Sequence, residues 1–243
     1  MKREPIFNVP GIIVALIGAF IAIHILREDG LSDADRTYFD LLFAFIPVRY
    51  TTTPMPDDLL PGGLGAQIWT FVSYAFIHGN WTHLIVNSIW LLPFGSAIAR
   101  RFGPLRFLAF FAVTAAGGAL AYLIAHGGQE SAVIGASAAI SGAMAGAMRF
   151  MFQRGGPLGF WRERNEDTYR VPALPLSRTW REPRVIIFLI VWFAINFLFG
   201  VIPLGPDQQP VAWEAHIGGF VAGLLLFSLF DPVPGESPAE GQP

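Results

Sequence analysis

Six long apolar segments restrict the folds that this chain can adopt. Each is close to the roughly 20 residues that an α-helix needs to cross a hydrocarbon layer of about 30 Å. The segments are 9–26, 81–98, 105–125, 133–153, 185–202 and 211–230. Only 14% of the 243 residues are charged, which is low for a soluble domain. Because helices satisfy their own backbone polar groups in lipid, the pattern predicts an all-α integral membrane protein with six spans, the first of them retained rather than cleaved.

The basic residues are distributed unevenly between these segments. Of the 16 Lys and Arg residues, all except Arg27, Arg36 and Arg49 lie at the amino terminus, from the end of the second segment to the start of the third, or from the end of the fourth segment to the start of the fifth. Cytoplasmic connections carry the excess of basic residues in membrane proteins. Both termini are therefore predicted to be cytoplasmic, and the second, fourth and sixth segments should begin at the outer surface.

Four polar residues then fall near the outer ends of three different segments. His83 and Asn87 are in the second segment, Ser137 is in the fourth, and His216 is in the sixth. Polar side chains are costly inside a membrane and often functional, so their common depth predicts a site. The simpler alternative treats each one separately, as a serine bonded to its own helix or as polar contacts between helices.

Ser137 lies in a run of tiny side chains, Gly135-Ala136-Ser137-Ala138-Ala139-Ile140-Ser141-Gly142. A serine hydroxyl needs a neighbouring base to act as a nucleophile, most often a neutral histidine. His216 is the candidate base, because Gly219 and Gly223 share its helical face and would let the sixth helix approach the fourth closely. Glu214 is about 200° around the helix from His216, so no carboxylate is placed to orient the ring, and a Ser137–His216 dyad is predicted.

Acyl-transfer chemistry also needs donors for the oxyanion of the tetrahedral intermediate. His83 and Asn87 are four residues apart, so they present two donors on one face of the second helix. The backbone N–H of Ser137 is a third possible donor. The sequence thus carries a candidate nucleophile, base and oxyanion hole.

Other chemistries lack their residues in this sequence. A zinc protease of the His-Glu-x-x-His type is excluded because the motif is absent, and His78 and His83 are five residues apart. None of the six segments contains an aspartate, as an aspartyl intramembrane protease would require, and the chain has no cysteine. No Gly-rich phosphate cradle or basic groove occurs. We therefore predict no cofactor, no metal and no nucleic-acid partner.

Three motifs in this order resemble those of the rhomboid intramembrane serine proteases. They are His78-x4-His83-x3-Asn87, Gly135-Ala136-Ser137 and Ala215-His216-x2-Gly219. The resemblance implies a serine endopeptidase in which Ser137 is the nucleophile and His216 the base. It also implies an oxyanion hole formed by His83, Asn87 and the Ser137 amide. The substrates it implies are transmembrane segments of other proteins, cleaved in the lipid bilayer at a water-accessible site.

The resemblance covers the body of the chain and implies a six-transmembrane-helix rhomboid-like bundle. We expect a rhomboid-like membrane domain over residues 1–230 and a disordered cytoplasmic tail over 231–243. The absence of a further domain or seventh span favours the six-helix bacterial form, as a multi-pass protein of the inner membrane.

Three positions depart from the pattern that the resemblance implies. Ala138 follows the serine where glycine is usual, Thr70 follows Trp69 where arginine is usual, and Ala99 stands where glutamate is usual. An alternative function is a catalytically silent rhomboid-like protein that binds transmembrane helices, which the intact Ser137 and His216 argue against. A channel or transporter is also disfavoured, because no charge lines the inner halves of the helices.

Overall fold

The computed structural model describes residues 9–51, 60–159, 166–201 and 211–234, and nearly all regular structure within them is helical. The first half of this part contains α1 (Gly11–Ile25), α2 (Asp33–Phe43), α3 (Gly63–Ser73), α4 (Trp81–Trp90) and α5 (Ser96–Phe102). The second half contains α6 (Pro104–His126), α7 (Ser137–Met148), α8 (Leu176–Thr179), α9 (Pro183–Val201) and α10 (Trp213–Phe230).

Four continuous helical stretches are long and apolar enough to cross a bilayer: Gly11–Gly30, Trp81–Phe102, Pro104–His126 and Trp213–Phe230. The prediction of an all-helical membrane protein is therefore confirmed. The second stretch joins α4 to α5 through a π-helical turn, Leu91–Gly95. This turn contains Pro93, which has no backbone N–H to donate.

The other two predicted spans correspond to shorter apolar helices, α7 and Pro183–Leu198 within α9. With 12 residues, α7 is about 18 Å long, so it cannot cross about 30 Å of hydrocarbon by itself. The predicted bounds of 133–153 were therefore wrong. Residues 133–136 precede the helix because Gly135 adopts a left-handed φ of +113°, and helix geometry ends after Met148. The count of six spans stays a prediction.

Helix α7 lies at the centre of the bundle, with every residue after Ser137 buried. It packs against α6 and α10 through glycines that leave no room for a side chain. A Cβ on Gly219 would lie 2.0 Å from the Ala138 carbonyl oxygen, and one on Gly223 would lie 2.3 Å from that of Gly142. The predicted close approach of the sixth helix to the fourth is therefore confirmed.

The first connection packs beside the segment that leads into α7. Helix α2 starts with a Ser32 cap, whose Oγ accepts a hydrogen bond from the Asp35 amide at 3.2 Å, and it ends at Phe43. Phe45 then pairs with Val133 through two backbone hydrogen bonds of 3.1 and 2.8 Å. This bridge holds residues 133–136 in place immediately before Ser137.

A buried ion pair closes the opposite end of the bundle. Arg101 donates to both carboxylate oxygens of Asp231 at 2.9 and 2.8 Å, and to the carbonyls of Tyr169 and Val171 at 2.8 Å. Part of the connection between α7 and α9 is thus anchored to the bundle. The predicted disordered tail begins at this paired Asp231, and its residues 235–243 lie outside the described part.

Candidate active site

The structure brings Ser137 and His216 together. Ser137 is the first residue of α7 and His216 the fourth of α10, and Ser137 Oγ lies 2.7 Å from His216 Nε2. Both residues are partly exposed. Their approach follows from the sequence, because Gly219 lies about one turn beyond His216 and packs directly on Ala138, the residue after Ser137.

His83 and Asn87 lie over the turn that precedes Ser137. A Cβ on Gly135 would be 2.6 Å from His83 Nε2 and 3.7 Å from Asn87 Nδ2, so only glycine lets the chain pass beneath these two side chains. Gly135 is also held by a 2.9 Å hydrogen bond from its amide to the Tyr74 carbonyl. The structure therefore places all four predicted site residues at one end of the bundle.

Backbone N–H groups and a helix cap also lie at this site. Because Ser137 is the first helical residue of α7, its N–H takes no part in the hydrogen-bond ladder of that helix and lies at the positive end of the helix dipole. Asn80 caps α4 by accepting from the His83 amide at 2.9 Å. Asn87 Nδ2 donates one of its two hydrogens to the His83 carbonyl at 3.0 Å, which leaves the second N–H available as a donor.

His216 also contacts a third residue, Asn196, which was not predicted from the sequence. Asn196, in the middle of α9, has its Oδ1 2.5 Å from His216 Nδ1, and its Nδ2 donates to the Trp192 carbonyl at 2.8 Å. The predicted dyad is thus part of a three-residue chain. Glu214 points away from His216 as predicted, and its Oε1 lies 3.2 Å from His126 Nε2. The sequence feature that could have indicated Asn196 is that it is the one polar side chain in the apolar segment 185–202.

Comparison with known proteins identifies the family of this chain. Residues 65–231, more than half of the chain, match the family model of the rhomboid domain. The chain belongs to the rhomboid family. The resemblance inferred from the three motifs is therefore confirmed.

Several rhomboid proteins align with most of this chain at low identity. RHOMBOID-like protein 4 of Arabidopsis thaliana is 26% identical over 230 residues, which is 90% of this chain and 51% of that protein. RHOMBOID-like protein 12, mitochondrial, of the same plant is 29% identical over 170 residues, 67% of this chain and 46% of that protein. Rhomboid protease GlpG of Yersinia pestis (strain Pestoides F) is 25% identical over 162 residues, 66% of this chain and 47% of that protein. The chain thus spans about half the length of these three relatives.

His78, the first residue of the rhomboid-like motif that continues into α4, packs against His83. Its fully buried ring lies 5.2 Å from the His83 ring and 5.0 Å from the Phe20 ring. His78 is in the turn before α4, outside the spans. Burial, together with the neighbouring His83 and His24, lowers the pKa of His78 to about 3. His78 is therefore neutral at physiological pH and adds no positive charge beside His83.

Two of the departures from the rhomboid pattern have structural explanations. The methyl group of Ala138 fits because its neighbour on α6 is Gly118, where an added Cβ would lie 2.4 Å from the Ala138 Cβ. Thr70 is fully buried and bonds the Ala66 carbonyl at 2.6 Å and the Tyr50 hydroxyl at 2.9 Å.

A different arginine anchors the first connection. Arg49 is 7% exposed and donates to the carbonyls of Pro61, at 2.8 Å, and Leu41. It thus joins the end of α2 to the start of α3. The third departure, Ala99, is buried in α5, and nothing in the structure explains the exchange.

Proposed function

We propose that this rhomboid-family protein is an intramembrane serine endopeptidase that cleaves transmembrane segments of other membrane proteins. The observation that carries the proposal is the 2.7 Å hydrogen bond between Ser137 Oγ and His216 Nε2. A nucleophile and a base within hydrogen-bond reach are the minimum requirement for covalent acyl transfer.

The reaction begins when Ser137 Oγ attacks the scissile carbonyl carbon and its proton passes to His216 Nε2. The carbonyl oxygen becomes an oxyanion, which the Ser137 N–H, His83 and Asn87 stabilise by hydrogen bonds. The C–N bond then breaks, and His216 returns the proton to the leaving amine. Water then gives a proton to His216 and attacks the acyl ester, and the C–O bond to Ser137 breaks as His216 passes this proton to Ser137 Oγ.

The position of the site restricts the substrate. A peptide group inside an intact helix has its carbonyl bonded to an amide one turn later, so it cannot meet the serine and the oxyanion donors together. Ser137 lies at the end of α7 rather than in its middle, beside the turn of Gly135 and Ala136. Substrate segments that unwind easily near the cut should therefore react best.

Purified protein in liposomes with a single-span model substrate tests the proposal. Wild-type protein should produce two fragments, whereas Ser137→Ala at the same melting temperature should produce none. Suppose that folded wild-type protein cleaves no member of a panel of substrates but binds their helices. The alternative of a catalytically silent helix-binding protein would then replace the protease.

Asn87→Ala should weaken cleavage without abolishing it. The substitution removes one of several oxyanion donors, so kcat should fall by up to ~10²–10³. Val86→Ala is the matched control, because Val86 is adjacent on α4 but 46% exposed on the outside of the bundle. It should leave kcat unchanged. Full activity of Asn87→Ala would remove Asn87 from the oxyanion hole.

We also propose that the site opens on the outer face of a bacterial inner membrane, with both termini in the cytoplasm, as the basic residues indicate. The chain has no cysteine, so single cysteines report accessibility cleanly. Glu130→Cys, in the exposed turn after α6, should react with an impermeant maleimide in intact cells. Leu158→Cys, 51% exposed after α7, should react only after permeabilisation. The reverse pattern would contradict this orientation.

A further inference from the structure

Asn196 is a buried residue of α9, and it is the one polar side chain in that helix after Arg184. Its side chain is 7% exposed, while Phe193 and Phe197 beside it on α9 are 47% and 70% exposed. Both ends of its amide are used, one within α9 and the other on α10. A buried amide in such a position is costly unless its hydrogen bonds are made, which indicates a specific role for them.

The hydrogen bonds of Asn196 determine which atom is the donor and which the acceptor in each contact from Asn196 through His216 to Ser137. Its Nδ2 donates to the Trp192 carbonyl, which can only accept, so the other amide atom facing His216 is the oxygen. Oδ1 can only accept as well, so His216 Nδ1 must carry a hydrogen. In a neutral imidazole the other nitrogen, Nε2, then has a free lone pair, and this is the atom 2.7 Å from Ser137 Oγ.

A second contact aligns α9 with α10. The Trp192 ring stacks on the Phe220 ring with centroids 4.7 Å apart and an interplanar angle of 30°. Trp192 precedes Asn196 by one helical turn, and Phe220 follows His216 by one turn. The two contacts between α9 and α10 are therefore neighbours, one turn apart along both helices. This pairing sets the height at which Asn196 meets His216.

We propose that Asn196 is a positioning residue that holds His216 with its proton on Nδ1. The same oxygen stabilises the imidazolium that forms when Ser137 gives up its proton. The inference rests on the proposed protease function for its kinetic consequence, but the tautomer itself is a property of the resting protein. Asn196 contacts neither substrate nor the reacting atoms, so it acts only through His216.

Three substitutions separate the hydrogen bond from simple packing. Asn196→Leu keeps the approximate shape but cannot accept a hydrogen bond, and we expect kcat in the liposome assay to fall by at least about 10-fold and by up to ~10⁴-fold, the loss typical of a serine protease whose histidine base is left in the wrong tautomer, with little change in KM. Asn196→Asp keeps an acceptor at Oδ1 and should recover most of the loss. Trp192→Leu removes the stacking but keeps the backbone carbonyl that Asn196 bonds. It should lower the melting temperature and reduce kcat less than Asn196→Leu does. If Asn196→Leu fails to fold, Asn196→Ala replaces it.

Nitrogen NMR of protein labelled with ¹⁵N-histidine, with the His216 signals assigned through His216→Ala, tests the tautomer independently of activity. At a pH where His216 is neutral, wild-type protein should show a protonated Nδ1 and an unprotonated Nε2. Asn196→Leu should lose this preference and Asn196→Asp should keep it. A protonated Nε2 in wild-type protein, or an unchanged kcat in folded Asn196→Leu, would overturn the inference. If wild-type protein cleaves nothing but shows the expected tautomer, the protease proposal fails and the positioning role stands.

Discussion

Ser137→Ala and His216→Ala are each expected to reduce cleavage of a model transmembrane substrate to background. Ser137 supplies the attacking oxygen and His216 takes its proton, so neither group works without the other. The double variant should consequently be no worse than either single variant, because the two residues act as a unit. The measurement is the initial cleavage rate in liposomes, with melting temperatures to show that each variant is folded.

Ser141→Ala is the matched control for this prediction. Ser141 lies one turn deeper in α7, is 4% exposed, and donates its hydroxyl to the Ser137 carbonyl at 2.8 Å. It is a serine that bonds its own helix, so its removal should leave most of the cleavage rate. Normal cleavage by Ser137→Ala combined with loss of cleavage in Ser141→Ala would place the nucleophile one turn deeper.

Gly219→Ala is expected to impair both stability and activity. The added Cβ would lie 2.0 Å from the Ala138 carbonyl oxygen, far inside contact distance, and this neighbour is backbone that cannot turn aside. Helix α10 must therefore move away from α7, which carries His216 away from Ser137. Overpacking of this kind costs about 1–3 kcal/mol or more of folding free energy. The melting temperature and the cleavage rate of Gly219→Ala should both fall clearly.

Gly18→Ala is the matched glycine control. Gly18 lies in the middle of α1, is exposed, and would meet no atom within 4 Å of an added Cβ. Alanine favours helix over glycine by about 1 kcal/mol, so this variant should be as stable as wild type or slightly more so. Equal effects of Gly18→Ala and Gly219→Ala would show that helix propensity, and not the contact between α7 and α10, explains the result.

Much of the candidate site could be predicted because its determinants are local in the sequence. The spacing of His83 and Asn87 and the glycines after His216 are properties of single helices, and they carried over directly into the packed structure. The predicted orientation of the spans then placed these residues of three helices at the same depth in the membrane. The small residues of α7 pack directly against Gly219 and Gly223 of α10, a contact that the glycine spacing alone predicts.

What could not be predicted depends on the rotation and height of one helix relative to another. Asn196 is 20 residues from His216, in a segment whose other residues are apolar, and a single sequence does not show which face of α9 meets α10. The length of α7 was overestimated for a related reason. Apart from Arg149, apolar residues continue on both sides of the helix, whereas the left-handed turn at Gly135 precedes its start and the backbone changes to i→i−3 hydrogen bonds at Arg149 and Phe150.

The most direct test of the central claim is covalent labelling of the detergent-solubilised protein with a mechanism-based serine-hydrolase probe, followed by mass spectrometric mapping of the modified residue. An activated serine is expected at Ser137 alone, because among the described serines it is the one bonded to a histidine nitrogen. Labelling should disappear in Ser137→Ala and become very slow in His216→Ala. Labelling of another serine, or undiminished labelling of His216→Ala, would contradict the account.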